Sequence, residues 1–192
     1  MNVHITPELD ARFRAAALAE GLVDVRFDLV DSPVGELFVA ATDRGLCRIG
    51  YTPDRAEEEV ARTFGRRLLR LPLDDARREL DEYFEGRRQS FDLSLDLRVP
   101  AFQEQVLHEL ARVPYGETTT YGALAARAGR PKAARAVGTV MNRNPIPIVL
   151  PCHRVVGASG ALTGYAGGLE IKRHLLELEG ALGLLPTHLR DG

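Results

Sequence analysis

Apolar and charged residues alternate strictly through residues 23–29, where Val23, Val25, Phe27 and Leu29 are separated by Asp24, Arg26 and Asp28. A period of two predicts a strand with one face buried. Asp31-Ser32-Pro33-Val34-Gly35 supplies a turn, after which residues 36–42 and 46–51 predict two more strands. The short connection Asp43-Arg44-Gly45 reads as a hairpin and makes the sheet antiparallel. The period then lengthens. Thr52-Pro53 is a helix-start signal, and Ala56, Val60 and Phe64 fall on one face of the segment that follows. Residues 74–84 repeat the helical pattern with Leu80, Tyr83 and Phe84 inward, and Gly86 closes the helix. Phe91, Leu93, Leu95 and Leu97 return to period two and predict a last strand.

Beyond Val99-Pro100 the pattern becomes short helices punctuated by Gly and Pro, which places a domain boundary there: residues 1–99 and 100–192. Residues 102–113 are amphipathic, and residues 120–128 and 132–142 predict two short Ala-rich helices joined by Gly129-Arg130-Pro131. That pair matches a helix-turn-helix unit, a weak signal by itself because Ala-rich helices are also common core elements. The second helix carries one long polar side chain, Arg135, among Ala133, Ala134, Ala136, Val137 and Gly138. Helices that read base sequence present several Arg, Asn or Gln, so this one suits close, backbone-dominated binding to any sequence, with Arg135 projecting alone.

Charge strengthens the nucleic-acid reading. The chain has a net charge of -2, but its first 100 residues hold 15 Arg against 20 acids and the remainder 10 basic residues against 7 acids. From Thr118 to Leu169 there is no Asp or Glu, while Arg127, Arg130, Lys132, Arg135, Arg143 and Arg154 are present. Such a stretch suggests an anionic partner, phosphate foremost; a solvated basic face normally has acids interspersed. Apolar runs are too short and proline-broken for a membrane span, and residues 1–20 carry acids where a secretory signal would be basic and then apolar. A cytoplasmic location is the expectation.

Within the basic stretch lies Ile146-Pro147-Ile148-Val149-Leu150-Pro151-Cys152-His153-Arg154-Val155-Val156. It sets a cysteine beside a histidine and an arginine between two apolar, strand-like segments. A free thiol is mostly protonated near neutral pH, so a reactive cysteine needs adjacent positive charge or a base, and His153 and Arg154 are placed to supply it. A cysteine that only packs has no need of the backbone restraint that Pro147 and Pro151 impose. The other cysteine, Cys47, lies in the strand-like Leu46-Cys47-Arg48-Ile49 and reads as core filler. Two cysteines are too few for a disulfide framework or a four-cysteine zinc site; neither metal nor cofactor is expected.

Residues 102–180 resemble the O6-alkylguanine-DNA alkyltransferases nearly continuously. The resemblance runs through Val113-Pro114-Tyr115-Gly116-Glu117, Thr120-Tyr121-Gly122 and Pro131-Lys132-Ala133-Ala134-Arg135-Ala136-Val137-Gly138. It continues through Asn144-Pro145, Pro151-Cys152-His153-Arg154-Val155, Gly164-Tyr165-Ala166-Gly167-Gly168-Leu169 and Leu175-Leu176-Glu177-Leu178-Glu179-Gly180. The first hundred residues are similar only through Asp31-Ser32-Pro33-Val34-Gly35 and the strand pattern.

The resemblance implies an α+β protein: a ribonuclease H-like sheet with helices, then a mostly helical, winged-helix-like domain with the helix-turn-helix. It implies direct-reversal repair of DNA in which Cys152 takes the alkyl group of O6-alkylguanine irreversibly, consuming the protein. By the family pattern His153 acts through a water as the base and Glu179 orients it, with Glu177 the rival carboxylate. Arg135 resembles the intercalating finger that replaces the flipped base, and Tyr121 the residue that helps extrude the nucleotide and donates to the departing guanine. Thr120, Lys132, Ala133, Ala134, Gly138 and Arg143 fall at the DNA-binding surface. Met141, Val155, Tyr165 and Ala166 are the expected pocket wall, Asn144 the hinge, and Pro147 narrows the pocket mouth. Ala166 stands where some members have serine, so a hydroxyl contact to the modified oxygen is lost and a backbone N–H remains to serve; because Pro147 narrows the pocket mouth, methyl groups are expected to be handled more readily than bulky ones. The cysteine and histidine set of the zinc-bearing module in some relatives is missing. The implied partner is double-stranded DNA, bound in the minor groove without sequence preference by a monomer, cooperative binding along DNA being left open. The alternatives are a cysteine-dependent hydrolase, which would turn over repeatedly; a non-catalytic lesion-binding protein, whose relatives lack the acceptor cysteine; and a helix-turn-helix regulator, which would prefer one sequence.

Overall fold

A computed structural model describes residues 6–184, so residues 1–5 and 185–192, the outer limits of the two expected domains, lie outside the described residues. After a first helix α1 (Pro7–Ala19), strands β1 (Val25–Val30), β2 (Leu37–Thr42) and β3 (Gly45–Gly50) form an antiparallel meander. Helix α2 (Pro53–Phe64) and a short β4 (Leu68–Arg70) follow, and β4 joins the free edge of β1 in parallel, giving the order β3-β2-β1-β4. The sheet is therefore mixed rather than purely antiparallel. Leu68-Leu69-Arg70 is too short for its alternation to announce a strand.

Every residue of β2 is buried because both faces are covered. Phe38 and Ala40 face α2 with Ala56 and Val60, whereas Leu37, Val39 and Ala41 face the larger core. Helix α2 sits very close to β3: a Cβ at Gly50 would collide with Ala56. Cys47 is buried in the layer under α2, and burial, the largest influence, pushes its thiol up to about 12. It is a packing residue, as its sequence setting suggested.

Helix α3 (Asp74–Phe84) buries Leu80 and Tyr83. The alternating Phe91–Leu97 segment packs against the core as expected, yet it makes only one parallel bridge, Leu95 to Leu46, and is not a strand. The reason lies on the β3 edge. Leu46 bonds to residues 94 and 96 of this segment, but the Ile49 N–H donates to the Pro145 carbonyl (2.9 Å), so the rest of that edge is taken by the second half of the chain.

The second half contains α4 (Ala101–Ala111), β5 (Thr119–Thr120), α5 (Tyr121–Arg127), α6 (Ala134–Asn142), β6 (Val155–Val156) and α7 (Leu169–Leu178). β5 and β6 form a two-stranded parallel ladder, and α4, α5 and α6 pack on one another. One hydrophobic cluster runs from Val30 and Leu37 through Leu107 and Leu124 to Leu175, joining the two halves. Among the described residues, no helix is long and apolar enough to cross a membrane.

Candidate active site

Ahead of Cys152 the chain is a tight turn, not the strand-like segment that its apolar run suggested. Asn144, two residues past the end of α6, explains the difference. Its side-chain Nδ2 donates to the Leu150 carbonyl (2.7 Å) and its Oδ1 accepts from the Ile146 N–H (3.1 Å), so the backbone closes on itself instead of forming a ladder. Ile148 sits in that turn at φ 74°. A β-branched residue in the left-handed region costs on the order of 1–3 kcal/mol, which the surrounding packing must offset.

Pro151 leads into a single 3-10 turn, Cys152–Arg154, in which all three residues are buried. β6 follows immediately and pairs with β5, which ends at Thr120, the N-cap of α5; Thr120 Oγ1 accepts from the Ala123 N–H (3.1 Å). The thiol segment is thus fixed at one side to the end of α6 and at the other to the start of α5, the two helices of the expected helix-turn-helix.

His153 and Arg154 do not surround the sulfur. Both turn onto Glu179, which α7 delivers at its C-terminal end. The Glu179 carboxylate accepts from Arg154 Nε (2.8 Å) and Nη2 (2.9 Å), from the Tyr83 hydroxyl (2.7 Å) and from the Gly116 N–H (3.3 Å), and it lies 2.8 Å from His153 Nε2. Burial alone would raise its pKa, but the hydrogen bonds and charges of His153 and Arg154 bring it down to about 2. The expectation that Arg154 holds the thiol ionised is therefore corrected: a buried guanidinium requires a carboxylate, and Glu179 supplies it.

An ionised Glu179 only accepts hydrogen bonds, so the facing His153 Nε2 carries the proton. Burial, the main influence on His153, lowers its pKa and keeps the ring neutral. Nδ1 is then the unprotonated nitrogen, and it is buried without a hydrogen-bond partner among the described residues. A histidine held in this tautomer is set to accept a proton at Nδ1.

Cys152 itself is pushed up to about 11 by burial, against the opposing pulls of the Asn144 side chain, the charge of Lys172 and the Tyr165 hydroxyl. The resting sulfur is a thiol. Lys172 is wholly buried on α7, donating to the carbonyls of Val155 (2.6 Å) and Thr163 (2.8 Å), and burial lowers it to about 8.

The remaining expected residues are spread over the surface, the cavity and the core. Arg135 and Lys132 are exposed on the helix-turn-helix, Arg143 is exposed at the end of α6, and Ala133, Ala134 and Gly138 are half-buried along it. Tyr121 begins α5; its ring lies 3.9 Å from where a Cβ on Gly138 would sit, and its hydroxyl accepts from Thr163 Oγ1 (3.0 Å). Pro147 and Ala166 line a cavity of about 590 Å³ between the halves, whereas Met141 and Val155 are buried in the main core. Tyr165 is half-buried beside Tyr51.

Sequence reasoning missed Tyr83, Lys172 and Tyr51. Lys172 had a signal: it lies three residues before Leu175 and seven before Glu179, a lysine on the buried stripe of a helix. Tyr83 was read as core, although a buried phenol needs a polar partner; nothing local names Glu179, 96 positions away.

The architecture and the site together define a class: an α+β protein with a buried, histidine-flanked thiol secured to a helix-turn-helix. Residues 101–181 match the family described as 6-O-methylguanine DNA methyltransferase, DNA binding domain, and residues 25–97 the one described as 6-O-methylguanine DNA methyltransferase, ribonuclease-like domain. The methylated-DNA–protein-cysteine methyltransferase of Methanosarcina acetivorans is 43% identical over 157 residues, 81% of this chain and 98% of that one. Its counterpart in Mycolicibacterium paratuberculosis is 45% identical over 161 residues, 81% and 92% of the two chains. The crystal structure of Mycobacterium tuberculosis OGT in complex with DNA is similar with a TM-score of 0.71 at 42% identity, covering 80% of this chain and 92% of that one. The chain belongs to the 6-O-methylguanine DNA methyltransferase family.

Proposed function

We infer that this protein is a DNA-repair methyltransferase that removes the alkyl group from O6-alkylguanine by transferring it to its own Cys152. The observation that carries the reading is the neutral His153, its Nε2 committed to Glu179 and its Nδ1 unpartnered, next in sequence to a buried thiol on a segment secured to the helix-turn-helix.

The Cys152 S–H proton passes to His153 Nδ1, through one water, while sulfur attacks the alkyl carbon in line. The S–C bond forms, the C–O6 bond breaks, and its electron pair stays on the guanine, which takes a proton with help from the Tyr121 hydroxyl. A thioether has no easy leaving path, so each molecule acts once. A thiol held protonated at rest ionises only as its proton is taken, which suits a nucleophile that reacts a single time.

Double-stranded DNA is the partner, with α6 in the minor groove. Ala133, Ala134 and Gly138 permit close approach, and Lys132 and Arg143 meet phosphates without reading sequence. Arg135 has no ion pair or hydrogen bond for its side chain among the described residues, which leaves it able to fill the stack when the damaged base rotates out. Pro147 and Ala166 border the alkyl pocket, Tyr165 forms its wall, and Asn144 is the hinge between DNA-binding helix and thiol. The protein works as a monomer in the cytoplasm, where both cysteines remain free. Titration with a duplex carrying O6-methylguanine tests the reading: repair stops at one lesion per protein molecule, and repeated turnover on the lesion or on an ester would refute it.

A further inference from the structure

The first half of the chain reaches Tyr165, in the wall of the proposed site, through a side chain that the proposed chemistry leaves unused. β3 is fastened to the turn ahead of Cys152 by the Ile49 N–H bond to Pro145 (2.9 Å). Two residues on, Tyr51 brings its hydroxyl to 2.6 Å from that of Tyr165, with the ring centroids 5.8 Å apart. The fit extends along the loop: a Cβ on Gly167 would come within 2.9 Å of the Tyr51 ring. Tyr51 also lines the same cavity as Pro147 and Ala166.

We propose that Tyr51 is a positioning residue of the alkyl-accepting site, its hydroxyl donating to Tyr165 and so turning the Tyr165 proton toward the Cys152 sulfur as that sulfur gives up its own. The proposal rests on Cys152 as the acceptor.

A thiolate has no proton and only accepts, so the favourable order is Tyr51 O–H to Tyr165 oxygen, and Tyr165 O–H to sulfur. An oxygen–oxygen distance of 2.6 Å lies at the short end of the O–H···O range, and each donor in such a chain polarises the next. Burial raises both phenols above their ordinary range, so neither competes with sulfur for the negative charge. The Asn144 side chain from the hinge and the charge of Lys172 from α7 also pull the Cys152 thiol down against burial. His153 neighbours it in sequence, and Arg154 is turned away onto Glu179. Tyr51 alone among these comes from the first half.

Tyr51→Phe removes the hydroxyl and keeps the ring. Modification of Cys152 by iodoacetamide across a pH series, read by peptide mass, should show its midpoint raised by about 0.5 unit, with the neutral-pH rate about threefold lower. The thermal midpoint should stay within about 3 °C, which a merely structural loss would not pair with a shifted profile. Tyr165→Phe should move the profile in the same direction, and the double variant no further than Tyr165→Phe alone, because Tyr51 acts through Tyr165. A parental or downward-shifted profile for Tyr51→Phe, or additive shifts in the double variant, would overturn the proposal. The reagent needs no DNA, so a raised midpoint in a protein that takes no alkyl group from DNA would refute the proposed function and leave the role of Tyr51 standing.

Discussion

Glu179 is the residue on which the site's charge balance turns, since it accepts from Tyr83, Arg154 and Gly116 and fixes the tautomer of His153. Replacing it with Gln keeps the shape but leaves the Arg154 guanidinium buried without a counter-charge. Glu179→Gln should cost about 3–5 kcal/mol of stability, measurable by urea unfolding, as expected when one partner of a buried ion pair is removed. A loss below about 1 kcal/mol would mean that Arg154 finds another partner or water. At this scale the sequence was informative about identity and less so about geometry. The pairing of His153 with Glu179 was expected and is present, but the side to which Arg154 turns was not legible. Adjacency in sequence says nothing about which of two neighbouring groups a long side chain will reach.

The two helices α5 and α6 flank the thiol segment, and the proposed function puts DNA on them. Arg135 is exposed near the start of α6, while Asn144 just past its end holds the backbone leading to Cys152. Arg135→Ala should slow repair of a methylated duplex by at least tenfold, as expected for losing the side chain that offsets about 1–3 kcal/mol of unstacking, and leave reaction with the free modified base almost unchanged. Equal losses on both substrates, measured in single-turnover assays, would remove Arg135 from the finger role. Elements with clear periodicity were read well: α2 and α3 begin and end where Thr52-Pro53 and Gly86 suggested. Two apolar stretches were misread as strands. Phe91, Leu93, Leu95 and Leu97 are half-buried against the core, but a strand also needs a free neighbouring edge, and that depends on distant chain; Ile146–Leu150 is closed into a turn by the Asn144 side chain. β4 was missed because three residues cannot display a period.

For the whole molecule, the site contributes to stability in a pH-dependent way. His153 and Glu179 both bind protons less readily folded than unfolded. Each therefore adds stability that is complete above its unfolded pKa, about 6.5 for His and about 4.3 for Glu. That stability is lost as pH falls through the folded values, the Glu179 share toward about 2. The urea midpoint should decline as pH is lowered from neutrality, and Glu179→Gln should flatten the part of that decline below about pH 4.5. An unaltered acid limb in the variant would contradict the assignment. The most direct test of the central claim is intact and peptide mass measurement after mixing the protein with an oligonucleotide that carries O6-methylguanine. The expected result is a gain equal to one methyl group in exchange for the thiol proton, confined to the peptide that holds Cys152 and matched by one restored guanine. Restoration of the oligonucleotide with Cys152 unmodified, or with the methyl on Cys47, would contradict it.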